Sequence, residues 1–169
     1  MDNVSSMSFW YEIAILSGKT ALVFFAILLS PGIFKRFEVR NRILGLIMIF
    51  RRQLGISMFL FVAIHGLTVS LLPRIKNAAL LEFSVFELFG LSAFILLFFL
   101  FLSSNDISQA KLGKWWYLLH RLVYIIMWLI LIHVAIQRIS LWTALASVLV
   151  VSEMAGIIYS NLKKRLALQ

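Results

Sequence analysis

Five apolar runs of membrane-spanning length, separated by short charged segments, constrain this chain more than any other feature. A helix rises about 1.5 Å per residue, so about 20 apolar residues cross a hydrocarbon core of roughly 30 Å. We place the spans at 13–34, 53–72, 84–102, 115–136 and 140–160. Lipid cannot satisfy backbone polar groups, so each span is expected to be helical; a closed barrel would instead alternate apolar and polar residues. The chain is 62% hydrophobic and 14% charged, with a mean hydropathy of +0.98, which excludes a soluble domain. The expected fold is an all-α integral membrane bundle of about five helices, cytochrome-b-like, forming one unit over 1–169 with no internal repeat. Connections this short leave no room for a soluble catalytic domain, so any flavin or pterin domain is expected on another chain.

Charge sets the expected orientation. Lys35, Arg36, Arg40, Arg42, Arg51, Arg52, Lys111, Lys114, Lys163, Lys164 and Arg165 fall on one side of the spans. Lys19, Arg74, Lys76 and Arg138 fall on the other. The positive-inside rule makes the richer side cytoplasmic, with the N-terminus outside and the C-terminus inside, in what is expected to be a bacterial inner membrane. Trp10, Tyr11, Trp115, Trp116 and Trp142 lie near span ends, where an aromatic belt belongs. Topology and lipid headgroups explain the net charge of +9, so no nucleic acid is expected as a partner. The first residues carry Asp2 and no early Lys or Arg, unlike the basic start of a signal peptide, so the first span is expected to remain in the mature protein. The segment 42–50, RILGLIMIF, is too short to span and is expected to lie along the inner interface or to extend the second helix. With no cysteine in the chain, thiolate-bound iron–sulfur clusters, disulfides and covalent haem attachment are excluded.

All three histidines sit in these apolar stretches: His65 in MFLFVAIHGLTVSLL, His120 in WWYLLHRLVY and His133 in IIMWLILIHVAI. An ionisable group at membrane depth is costly and faces the bundle interior, which makes it a functional-site hypothesis. Neutral imidazole is an axial ligand of haem iron, and bundle sites are built from side chains on facing helices. Counted from Arg52, His65 lies about 20 Å along its helix; counted from Lys114, His133 lies roughly 28 Å along and His120 roughly 9 Å. His65 and His133 therefore share the outer half and are the easier pair, with His120 near the inner surface. A bond to a neighbouring helix is the plainer role for any one of them.

The remaining charges at depth read more simply. Glu153 and Glu87 suit interhelical hydrogen bonds or the interface better than a proton relay. Lys19, Arg74 and Arg138 are placed where propionates of an outer haem would point, and snorkelling explains them equally well. Gly55 and Gly66 could admit a flat macrocycle beside the pair or let helices pack closely. At the inner surface, Arg51, Arg52, His120, Trp115 and Trp116 form a cationic, aromatic-rimmed set suited to a quinone head or a flavin phosphate, and equally to interfacial anchoring.

The stretches SGKTALVFFAILLSP (17–31), RRQLGISMFLFVAIH (51–65) and KLGKWWYLLHRLVYIIMWLILIH (111–133) resemble the ferric-reductase-like transmembrane domain. Within that family they are most similar to the MsrQ (YedZ) type, the haem-binding membrane subunit of a periplasmic methionine sulfoxide reductase system. The resemblance covers about 17–135. It implies a quinone- or flavin-fed b-type cytochrome, with haem b held by His65 and His133, His120 as a further histidine at a possible second site, and FMN or quinone as a further cofactor. It also implies a separate redox partner, a periplasmic molybdopterin reductase. MsrQ-type chains usually carry an additional N-terminal span, and the apolar character of 42–50 is a further departure.

The expected role is thus an electron-transfer subunit rather than a complete enzyme. A transmembrane metal or quinone reductase is the nearest rival, and a non-redox assembly subunit or a proton-linked transporter the more distant ones. One bis-histidine haem is expected. Counting 14 or 13 residues back from His65 reaches Arg51 or Arg52, which cannot ligate iron. On an ideal helix His120 and His133 would also be about 140° apart.

Overall fold

A computed structural model describes residues 2–71, 73–74 and 83–167. Among these the chain is all-α: α1 (Asp2–Arg36), α2 (Arg42–Ile49), α3 (Arg51–Gly66), α4 (Val85–Leu102), α5 (Asp106–Leu112), α6 (Lys114–His120), α7 (Val123–Gln137) and α8 (Leu141–Leu166). Five stretches are long and apolar enough to cross a membrane: Phe9–Arg36, Arg51–Leu71, Val85–Leu102, Lys114–Gln137 and Leu141–Leu166. The protein is an integral membrane helical bundle. The first and last of these helices are longer than the expected 13–34 and 140–160, because the flanking polar residues continue the helix beyond the apolar run. Position 72, where the second span was expected to end, lies outside the described residues, as do Lys76 and Asn77.

The local breaks have identifiable causes. Asn41 caps α2 by accepting from the Ile43 amide at 3.2 Å, and Asn105 caps α5 by accepting from the Ser108 amide at 2.8 Å. Gly113 separates α5 from α6 at φ 52°, a backbone region that L side chains avoid. The segment 42–50 forms the separate helix α2, which buries no residue and breaks from α3 at Phe50. Two spans depart from one regular helix. The second passes into a π-helical turn, Leu67–Leu71, directly after His65 and Gly66. The fourth is interrupted at Arg121–Leu122 by tight three-residue steps, Leu122 N–H to Leu119 O (3.0 Å) and Tyr124 N–H to Arg121 O (3.1 Å). The ideal-helix angle between His120 and His133 therefore does not apply: the span is two helices.

The five spans close into a ring. α1 packs on α3 and α8, α8 on α7, α7 on α4, and α4 on α3. The core is filled by Phe25, Leu29, Ile33, Met58, Phe59, Leu97, Ile126 and Met127 with their neighbours. Large apolar side chains such as Leu16, Leu60, Phe99 and Val151 point outward, as expected where the surrounding solvent is lipid rather than water. Phe59 stacks on Phe101 with centroids 4.4 Å apart and on Phe94 at 5.6 Å, locking α3 to α4.

Candidate site of paired histidines

His65 comes from α3 and His133 from α7, two helices whose main packing partners are others in the ring. Their imidazoles nevertheless meet across the interior, with centroids 6.4 Å apart and planes crossed at 83°. Each ring is tied to a third helix. Nδ1 of His65 lies 2.7 Å from the backbone oxygen of Ala14 on α1, and Nδ1 of His133 lies 2.7 Å from that of Phe86 on α4. A carbonyl only accepts, so both Nδ1 atoms carry the proton and donate. That fixes the tautomer and leaves each Nε2 with its lone pair free, the state in which imidazole binds a metal.

Two glycines make this approach possible. A Cβ added at Gly18 would lie 2.7 Å from Nδ1 of His65, and one at Gly90 would lie 2.8 Å from Nδ1 and Cε1 of His133. Gly55 and Gly66, the glycines that stand beside the pair in the sequence, have nothing within 4 Å of such a Cβ. Gly18 and Gly90 escape notice in the sequence because each lies in a different span from the histidine it meets. The signal that could have found them is a lone glycine in an apolar span at the depth of a histidine in another.

His120 ends α6, apart from the pair. Its Nδ1 faces the Trp116 carbonyl of its own helix at 3.1 Å, and its ring stacks on Trp116 with centroids 3.9 Å apart. Trp116 in turn donates from Nε1 to the Ser103 carbonyl at 2.9 Å, anchoring α6 to the end of α4. The Arg51 charge lies within electrostatic reach of His120. Arg52 pairs with Asp106 at 2.9 Å, both side chains exposed. The set Arg51, Arg52, His120 and Trp116 is thus gathered at one end of the bundle, while Trp115 points outward with Lys114 over its ring.

The two carboxylates that the sequence places at depth, Glu153 and Glu87, are both paired. Glu153, 2% exposed, forms an ion pair with Arg36, whose second nitrogen donates to the Tyr124 hydroxyl at 2.9 Å. Glu87 pairs with Arg74 at 2.9 Å and accepts from the Ser84 amide (2.8 Å) and hydroxyl (2.6 Å) at the start of α4. Lys19 lies over the ring of Trp142. No group of three or more His, Cys, Asp or Glu residues suited to a bare metal ion occurs among the described residues.

Comparison with known proteins identifies the family. The protein-methionine-sulfoxide reductase heme-binding subunits MsrQ of Salmonella paratyphi B, Salmonella newport and Salmonella heidelberg are each 32% identical to this chain over 127 residues, 72% of its length. The match spans 62% of the length of each of these relatives. No solved structure matches the chain. The family described as ferric reductase like transmembrane component matches residues 17–132, and with the histidine-bearing spans inside or at the edge of that match, the chain belongs to that family.

Proposed function

We propose that this chain is a b-type haem membrane subunit that carries electrons from a quinone or flavin donor on the inner side to an acceptor on the outer side. The acceptor is of the kind served by the heme-binding subunits it resembles, a methionine sulfoxide reductase. One observation carries the reading: two imidazoles on facing helices, each with Nδ1 engaged and Nε2 free, stand 6.4 Å apart. Two imidazoles sharing one metal at about 2 Å per bond have centroids roughly 6–7 Å apart, so the spacing fits a single iron. The absence of a larger donor cluster among the described residues suits a macrocycle that brings its own four nitrogens, and the lack of cysteine makes its attachment non-covalent.

When bound, the haem supplies a one-electron carrier in the apolar interior. His65 and His133 would hold it, and the Ala14 and Phe86 carbonyls fix the tautomer of both rings and raise their basicity as ligands. At the opposite end, His120, Arg51 and Arg52 receive the donor: a guanidinium suits a flavin phosphate and a ring nitrogen suits a quinone oxygen. The acceptor and the flavin or quinone donor belong to separate partners, and the pair of histidines lies toward the periplasmic face.

Protein purified in mild detergent is expected to show a Soret band and a dithionite-shifted α-band, with one haem per chain by pyridine haemochrome assay. A colourless folded protein would overturn the reading. Single cysteines can be introduced without background, and an impermeant maleimide is expected to label position 77 and not position 104; the reverse pattern would invert the direction of transfer.

A further inference from the structure

The two glycines against the histidines are matched, although they sit on different helices. Gly18 follows Ala14 by four residues on α1, and Gly90 follows Phe86 by four on α4. In an α-helix the carbonyl of residue i accepts from the amide of residue i+4. Each histidine therefore donates to the same oxygen that the glycine amide uses, and its ring lies in the space where the glycine side chain would be. The Ala14 oxygen also accepts from the Ser17 hydroxyl at 3.0 Å, so the two sites share glycine, carbonyl and imidazole, and the one at Ala14 carries one further donor.

Resting on the haem reading above, we propose that Ala14/Gly18 and Phe86/Gly90 form two similarly built seats that set the orientation of the two imidazole ligands. The seats, and not the helices bearing the histidines, hold the imidazole planes crossed at 83°. Gly18 and Gly90 are positioning residues: they touch the imidazoles rather than the iron. A methyl group at either would approach ring atoms within 2.9 Å, closer than real contacts allow. The mobile partner is the end of the histidine side chain, so the imidazole yields and the helix backbone stays in place. An alanine here alters the ligand while sparing the fold.

Crossed axial imidazoles leave the two iron orbitals that overlap them nearly equal in energy. The consequence is a strongly anisotropic low-spin electron paramagnetic resonance signal with one low-field feature, in place of the three-line rhombic spectrum of parallel planes. The unaltered chain is expected to give the anisotropic signal. Gly18→Ala and Gly90→Ala are each expected to weaken haem binding by about 10–100-fold, the effect of disturbing partners that orient a ligand. The residual haem is expected to move toward a rhombic or high-spin signal and a higher midpoint potential, because a ring that loses its acceptor is a weaker base. Gly66→Ala, next to His65 but with open space around it, is the control and is expected to match the unaltered chain. Alanine at Gly18 and Gly90 with unchanged affinity, signal and potential would overturn the proposal, as would an equal effect at Gly66. Should an alanine variant not fold, the unaltered chain decides: a rhombic signal sinks the seats, an anisotropic one supports them. A chain that binds no haem overturns the haem reading itself, whereas a haem-loaded chain indifferent to both glycines overturns the seats alone.

Discussion

His65 and His133 on one hand and His120 on the other are the same residue in apolar stretches of the sequence, yet the bundle treats them differently. The paired rings donate to carbonyls of helices α1 and α4, far away in the chain. The His120 ring faces a carbonyl one turn back on its own helix and lies flat on Trp116. An imidazole held from another helix has its direction set by tertiary packing, and it can be aimed at a point in the interior. An imidazole held by its own helix has its direction set locally. The proposed function assigns them different work, the pair to a resident cofactor and His120 to a visiting donor.

Removing either paired ring should have the largest effect. His65→Ala or His133→Ala is expected to abolish the low-spin haem spectrum or convert it to a high-spin form, read by absorption of the purified protein. An unchanged low-spin spectrum in either variant would dissolve the distinction between the pair and His120. Next in size is the ion pair of Arg36 with the buried Glu153, which ties α1 to α8. Breaking a buried pair leaves an uncompensated charge and costs about 3 kcal/mol or more. Arg36→Ala strands the fully buried carboxylate, whereas Glu153→Ala leaves a guanidinium that still donates to Tyr124. Unfolding in detergent is therefore expected to show the larger loss for Arg36→Ala, with the haem spectrum of the folded fraction intact in both. Equal losses would mean that Arg36, left without its partner, is no better satisfied than Glu153 would be.

The donor end should give kinetic effects only. Arg51→Ala together with Arg52→Ala is expected to slow haem reduction by a flavin or quinol donor severalfold in stopped flow, with haem content unchanged. The slowing should shrink as salt rises, since the side chains are exposed and screened. Equal rates would assign these arginines to the lipid interface. The smallest spectral change belongs to His120→Ala, which is expected to leave the bis-histidine signal in place; its loss would make His120 a ligand and erase the contrast.

Much of this bundle is legible in the order of its residues. Spans of apolar residues announce five membrane helices, and counting from Arg52 and Lys114 puts His65 and His133 in the same, outer half. The interhelical roles of Glu153 and Glu87 follow from the cost of an unpaired charge in lipid. Other features are hidden. The break at Arg121–Leu122 falls in LHRLVY, where neither Gly nor Pro marks it. The π-helical turn after His65 leaves no mark in composition either.

The sequence by itself determined that the chain is a membrane bundle, which residues could bind a metal, and which pair of them share the outer half, because hydropathy and helical rise depend only on residue type and order. Only the tertiary structure decided what holds those ligands. A backbone carbonyl is present at every residue, and a glycine records only the absence of a side chain. No letter at Ala14 or Phe86 marks it as an acceptor. That role exists only because α1 and α4 bring a bare stretch of backbone against a ring from another helix.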